Sequence, residues 1–234
     1  MIRPCASCGF EFEGNGSFEY CPHCDRDGPP SIDLQAFRSL FGCHGYAPTH
    51  HGGPDGPGFA LVYYALAHAL RSRLNVVIGS GDGQVPAMLR QAQIDSGIPE
   101  GRTVLIDRDE EAFPGNGRPY HRNDPDHWFN RWYLDVERIW EDSAEAWRRF
   151  EPESIGVLFV DGDHTFNGVL NDFAWWWDRV RRNGVVLMHD TRNALVPDRG
   201  VERALARIRS VYDDWDVIDF TDMGTGVAIL RRRG

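Results

Sequence analysis

No stretch of the 234 residues approaches the ~20 consecutive apolar residues needed to cross a bilayer, so no membrane-spanning helix is expected. The chain begins Met1, Ile2, Arg3, Pro4, Cys5 without an apolar leader, and a cytoplasmic location is expected. Positive charge is in deficit: 25 basic residues face 35 acidic ones, for a net charge of −10. A dedicated nucleic-acid binder needs basic surface to neutralise phosphates, so nucleic acid is not an expected partner. The terminal run Arg231 to Arg233 is too short to reverse that balance. Cysteine is scarce, with five residues, and a disulfide framework is not the reading they suggest. Two nucleotide signatures are missing as well. Gln84 stands where a GxGxxG pattern needs its third glycine, and no Walker lysine follows, which points away from NAD and ATP.

Hydrophobic residues make up 41% and aromatics 12% of the chain, enough to build a core and to argue against disorder. Four of the five cysteines form two CxxC pairs, Cys5 with Cys8 and Cys21 with Cys24, separated by 12 residues. Each pair lets two thiolates converge from one tight turn, and two such turns complete a tetrahedral site for structural zinc. The segment around them is Gly-rich and polar, so metal binding would supply its folding energy. It resembles a zinc ribbon over residues 1–28, for which a docking role toward a protein partner or a second copy of the chain is expected. His23 is read as pointing outward, and Cys43 as a buried small hydrophobe. Residues 29–58 read as a linker and a lid-like loop in which His50 and His51 are candidate substrate contacts.

From Phe59 helices and strands alternate. Helices are expected over Phe59–Leu74, Val85–Ala92, Ala144–Phe150 and Val201–Tyr212. Strands are expected over Asn75–Ile78, Thr103–Ile106, Val136–Trp140, Val157–Val160, Val185–Met188, Asp216–Phe220 and Gly226–Leu230. Phe166, Val169, Leu170, Phe173, Trp176, Trp177 and Val180 repeat at helical spacing and mark one apolar face. Strands apolar on both faces and alternating with helices imply a Rossmann-like α/β fold: a mostly parallel seven-stranded sheet with helices on each side, over residues 59–234.

Ligands of such sheets bind at the carboxyl ends of the strands. Gly79, Gly81 and Gly83 follow the first strand, where glycine permits positive φ and close backbone approach; a tight turn with no ligand is the alternative. Asp107 ends the next strand, where a carboxylate can accept hydrogen bonds from a ribose diol. Asp161, Asp163 and His164 follow one later strand, and His189 and Asp190 end the next. Parallel neighbours bring both groups to one sheet edge, and such donors suit a divalent cation. The alternative is that Asp163 and His164 cap the helix beginning near Thr165.

Four blocks carry a family resemblance: VIGSGDG at 77–83, IWEDS at 139–143, VLFVDGDH at 157–164 and GVVLMHDT at 184–191. The stretch from Asn75 to Thr191 resembles the class I S-adenosylmethionine-dependent methyltransferases, in particular the group containing macrolide-sugar O-methyltransferases and cephalosporin hydroxylase-like proteins. The resemblance implies that Gly79, Gly81 and Gly83 approach the cofactor, Asp107 holds its ribose, and Asp142 and Ser143 lie beside its adenine. It implies Asp161, His189 and Asp190 as ligands of Mg²⁺ or another divalent metal, with His164 as general base. His189 departs from the family's carboxylate and would favour a softer ion such as Mn²⁺, Fe²⁺ or Zn²⁺. Val77 departs from the acid the family places two residues before its first motif glycine. The segment Glu110–Asp135, with Tyr120, His121, His127, Trp128 and Trp132, reads either as a lid or substrate wall or as aromatic packing. The expected activity is metal-assisted O-methylation of a sugar or other small hydroxylated metabolite. A non-catalytic scaffold with a degenerate methyltransferase domain, or a methyltransferase of a macromolecule presented by the ribbon, are the competing readings.

Overall fold

The structure, a computed structural model, describes residues 2–4, 11–13, 59–79, 81, 83–108, 124–193, 197–221 and 225–234. The zinc-ribbon cysteines Cys5, Cys8, Cys21 and Cys24 lie outside the described residues, as do His23, Cys43, His50, His51, Tyr120 and His121. The chain divides into two compact units, Met1–Leu40 and Phe41–Gly234. In the first, strands β1 (Ile2–Pro4) and β2 (Glu11–Glu13) pair antiparallel, with Ile2 opposite Glu13.

The second unit is built on seven strands: β3 (Leu74–Ile78), β4 (Arg102–Asp107), β5 (Glu137–Trp140), β6 (Ile155–Val160), β7 (Val180–His189), β8 (Trp215–Phe220) and β9 (Val227–Arg232). Their order across the sheet is β5-β4-β3-β6-β7-β9-β8. The first five run parallel; β9 is antiparallel to both β7 and β8. The direction of winding reverses between β3 and β6, which places a crevice at their carboxyl ends.

The two-residue period of each strand sorts its side chains onto two cores. Val76 and Ile78, Leu158 and Val160, and Val186 and Met188 face one side. There they meet α5 (Phe166–Trp176) and α6 (Gly200–Val211), through Phe173, Trp176, Leu205 and Ile208. Val77, Val157, Phe159, Val185 and Leu187 face the other side and meet α1 (Ala60–Ala69), α2 (Gln84–Asp95) and the short α3 (Trp128–Trp132). Trp176 is wholly buried, so it is core rather than an exposed aromatic platform.

Several boundaries differ from the sequence pattern for local reasons. The first helix stops at Ala69 rather than Leu74, because Arg71 takes a left-handed φ of 46° and Leu74 already pairs with Arg102 in the sheet. The helix read over Ala144–Phe150 is a single turn, α4 (Ser143–Ala146), followed by a tighter 3₁₀ turn over Trp147–Arg149. Val180 continues the apolar spacing of α5, yet it begins β7 opposite Ile155.

Candidate active site

The carboxyl edge of the parallel strands gathers the candidate residues from β3 to β7. Gly79 leaves β3 with φ 86°, its N–H donating to the Ile106 carbonyl at 2.9 Å. The neighbouring strand closes on it, since the Asp161 N–H donates to the Ile78 carbonyl, also at 2.9 Å. A Cβ on Gly79 would overlap the Asp161 backbone carbonyl, so only glycine fits where β3 and β6 emerge together. Gly83 (φ 87°) precedes α2 and packs beneath the ring of Phe129, which leaves no space for a Cβ. Gly81 (φ 49°) has nothing among the described residues within contact distance of a Cβ.

Asp107 is the last residue of β4 and sits opposite Trp140, the last residue of β5. Just beyond, Asp142 caps α4: its Oδ1 accepts from the Ala144 N–H at 2.9 Å, and its Oδ2 lies 3.6 Å from Arg108. Ser143 is held by α5, its hydroxyl donating to Asp172 Oδ1 at 2.5 Å and its carbonyl accepting from Trp176 Nε1 at 3.2 Å.

The acidic and imidazole groups after β6 and β7 do converge. Asp161 Oδ1 stands 3.0 Å from His164 Nε2 and 3.1 Å from His189 Nδ1. His164 Nδ1 lies 3.5 Å from Asp190 Oδ2, and His189 Nδ1 lies 3.4 Å from Asp190 Oδ1. The last residue, Asp190, leaves β7 with φ 62°, a left-handed conformation rare for a residue with a Cβ and tolerated best by Asp and Asn. Neither Asp163 nor His164 is the cap of α5: Thr165 is, its hydroxyl accepting from the Gly168 N–H at 3.1 Å. Asp163 accepts from the Thr165 N–H at 2.9 Å in the turn before it, while the His164 ring turns to Asp161 and Asp190.

Protonation in this cluster follows from its geometry. Burial works against an ionised Asp161, but the charge of His189 and the hydrogen bonds from both histidines outweigh it and hold the carboxyl well below its ordinary range. Burial would lower His164, yet its hydrogen bond to Asp161 and the charges of Asp161, Asp190 and Asp163 push it up to about 9. His189 is raised against the same burial by the attraction of Asp161, its hydrogen bond to it, and Asp190. Two features fit a divalent cation. Donor atoms of Asp161, His164 and Asp190 all lie within 4.8 Å of one another. Asp190 Oδ1 is buried with no hydrogen-bond partner among the described residues and only the His189 ring beside it at 3.4 Å, leaving acceptor capacity that a ligand would use.

Sequence reading missed one neighbour of the cluster, Tyr63 of α1. It is fully buried and packs edge-on against Phe159 at 4.9 Å. Burial first, and then the charges of Asp161 and Asp190, raise its phenol far above the ordinary value, so it stays protonated. An apolar helical face gave no signal that one of its residues would lie near carboxylates. Nor was the Ser143–Asp172 contact legible, since it joins residues 29 positions apart. Beside Asp190, a cavity of about 110 Å³ is lined by Thr191, Arg192, Asn193, Arg199 and Glu202. Of the aromatic segment before β5, Phe129 is buried, His127 caps α3 by accepting from the Phe129 N–H, and Trp132 is largely exposed.

Residues 76–191 match the methyltransferase-domain family. The uncharacterized protein y4gI of Sinorhizobium fredii is 32% identical over 130 residues, which are 54% of this chain and 14% of that protein. The chain therefore spans only a small part of this relative's length. Among solved structures, the O-methyltransferase TomG of Streptomyces achromogenes, involved in tomaymycin synthesis and solved with S-adenosylmethionine, is 17% identical. The match covers 86% of this chain and 96% of TomG, with a TM-score of 0.57. An O-methyltransferase of Bacillus cereus in complex with S-adenosylhomocysteine is 15% identical, over 90% of this chain and 96% of that one, with a TM-score of 0.57. A methyltransferase of Geobacter sulfurreducens is 20% identical, over 91% and 95%, with a TM-score of 0.58. At these identities the likeness to the solved structures is one of fold: a seven-stranded, mostly parallel methyltransferase sheet. Among the described residues no helix is long and apolar enough to cross a membrane.

Proposed function

We propose that this chain is an S-adenosylmethionine-dependent O-methyltransferase, assisted by a divalent metal, that acts on a hydroxyl of a sugar or other small hydroxylated metabolite. One observation carries the proposal. A glycine turn in left-handed backbone and a cluster of carboxylates and imidazoles meet at one carboxyl edge, with Gly79 directly against Asp161. The cofactor is assigned to Gly79, Gly81, Gly83, Asp107, Asp142 and Ser143, which line the ends of β3, β4 and β5. The methyltransferase-domain match supports this reading. When bound, S-adenosylmethionine supplies an electrophilic methyl on a sulfonium, and a divalent ion supplies a Lewis acid that makes a chelated hydroxyl more acidic.

Asp161 and Asp190 are hard oxygen donors suited to Mg²⁺ or Mn²⁺, and His189 Nδ1 faces the same two carboxylates and completes the set. His164 would be the base, its ring taking the proton of the acceptor hydroxyl as that oxygen is methylated. Proton removal requires a neutral imidazole. The two carboxylates hold His164 charged near pH 7 while their own charge is unopposed, so the base becomes available only when that charge is offset. The clustering of His164 donor atoms with those of Asp161 and Asp190 favours a second reading, in which His164 is itself the third ligand.

Substitution separates the two. His164→Ala should retain metal affinity and lose turnover if His164 is the base, whereas loss of metal affinity would make it a ligand. Direct titration of S-adenosylmethionine tests the enzyme reading: no binding at millimolar ligand, with and without Mg²⁺ or Mn²⁺, would leave a non-catalytic binding protein. Cys5, Cys8, Cys21 and Cys24 are proposed as a structural zinc site in a ribbon over residues 1–28. Residues 29–58 are proposed as linker and lid and 59–234 as the methyltransferase domain. In this reading the ribbon serves a protein partner or a second copy of the chain.

A further inference from the structure

Asp172 is a buried acid that the proposed chemistry does not use. It sits on α5 with 4% of its surface exposed, with one carboxyl oxygen beside Gly162. It accepts the Ser143 hydroxyl at 2.5 Å, and one helical turn later Trp176 Nε1 donates to the carbonyl of the same serine at 3.2 Å. Residues at i and i+4 lie on one helix face. One face of α5 thus grips a single residue of the turn after β5 from two sides. The turn is otherwise held by the Asp142 cap, its contact with Arg108 and the buried Ala146 of a four-residue helix, too short to hold its own geometry.

We propose that Asp172 is a positioning residue for cofactor binding, fixing through Ser143 the turn at 142–143 that receives the adenine. The inference rests on the assignment of Asp142 and Ser143 to the cofactor site. The surroundings of Asp172 explain why an acid can serve there. Burial pushes its carboxyl up to about 7 against the Ser143 hydrogen bond; Asp142 and Asp163 add to the rise, and Arg108 opposes it. An uncharged acid and an amide are close in size and both offer an acceptor oxygen, so asparagine should serve in its place.

Calorimetric titration of S-adenosylhomocysteine into the full chain tests the clamp. Wild-type protein should bind, and Asp172→Ala and Ser143→Ala should each weaken binding by about tenfold, the scale of one lost hydrogen bond. The double variant should lose about tenfold and no more, because both changes remove one contact. Asp172→Asn should bind within about threefold of wild type, whereas Asp172→Leu, similar in size but without an acceptor, should bind as weakly as Asp172→Ala, a split that a purely packing role would not give. If Asp172→Ala fails to fold, Ser143→Ala and Asp172→Asn decide the matter. Wild-type affinity in Ser143→Ala, or losses that add in the double variant, overturns the clamp while the cofactor site stands. Failure of the wild-type chain to bind overturns the cofactor site and this inference together.

Discussion

Removing the proton from His164 should destabilise the metal-free protein, and the size of the effect follows from the cluster. His164 rises from an ordinary value of 6.5 to about 9 because its ring nitrogens face Asp161 at 3.0 Å and Asp190 at 3.5 Å. A group raised on folding contributes stability that is fully present below its unfolded value and lost as pH climbs through its folded value. The contribution is therefore complete below about pH 6.5 and gone above about pH 9. That gap is worth at most about 3 kcal/mol, reduced by solvent screening of a ring that keeps some exposure. For a domain of this size it corresponds to a fall of about 6–12 °C in melting temperature at most. His189 is raised in the same direction, so the diagnostic quantity is a difference between proteins. Thermal melts in chelator from pH 6 to 10 should show a steeper decline for wild type than for His164→Gln. Nuclear magnetic resonance titration of the His164 ring should give a midpoint well above 6.5. Parallel melting curves for the two proteins, or an ordinary midpoint, would refute the electrostatic account of the cluster.

Five further outcomes are expected. Mn²⁺ or Mg²⁺ binding should release protons, measurable as a buffer-dependent heat, because a cation on Asp161 and Asp190 removes what holds the imidazoles charged; Asp190→Asn should abolish that heat. Asp161→Asn should lower the His164 midpoint in the same magnetic resonance titration, since burial then acts without its main opponent and only Asp190 and Asp163 still raise it. Gly79→Ala should destabilise the domain by more than about 2 kcal/mol in denaturant melts, combining left-handed strain with overlap on Asp161. Gly81→Ala, in open space, should cost about 1 kcal/mol and chiefly weaken cofactor affinity. Cys21→Ser should lower the zinc content of the purified chain by elemental analysis, as expected if Cys5, Cys8, Cys21 and Cys24 share one ion.

The parts of this fold that were legible in the sequence are those governed by short periods. Continuous apolar runs such as 157–160 located the parallel strands, here β6 over Ile155–Val160, and the spacing of Phe166, Val169, Phe173 and Trp176 located α5. Strand ends are chemically marked because β3, β6 and β7 stop at glycine or at charged and imidazole residues, so the edge where the candidate residues gather could be read in advance. Sequence left open that Asp163 and His164 cap the helix beginning near Thr165; the folded turn gives that cap to Thr165 itself and leaves Asp163 on the Thr165 N–H. It was equally silent on Val180. A residue that continues a helical apolar face can cross into a strand when the intervening 3₁₀ turn, Trp177–Arg179, changes the chain direction. Contacts made by packing alone, such as Tyr63 near Asp161 or Ser143 with Asp172, have no local signature and appear only once the helices are docked on the sheet.

The central claim is that the glycine turn at 79–83 and the strand ends beside it bind S-adenosylmethionine. Its most direct test is calorimetric titration of the full chain with S-adenosylmethionine, in the presence and absence of Mn²⁺. The account predicts a saturable 1:1 isotherm that is weakened by Gly81→Ala and by Asp107→Ala. An isotherm without heat beyond dilution at millimolar cofactor, from a chain that melts cooperatively, would contradict it.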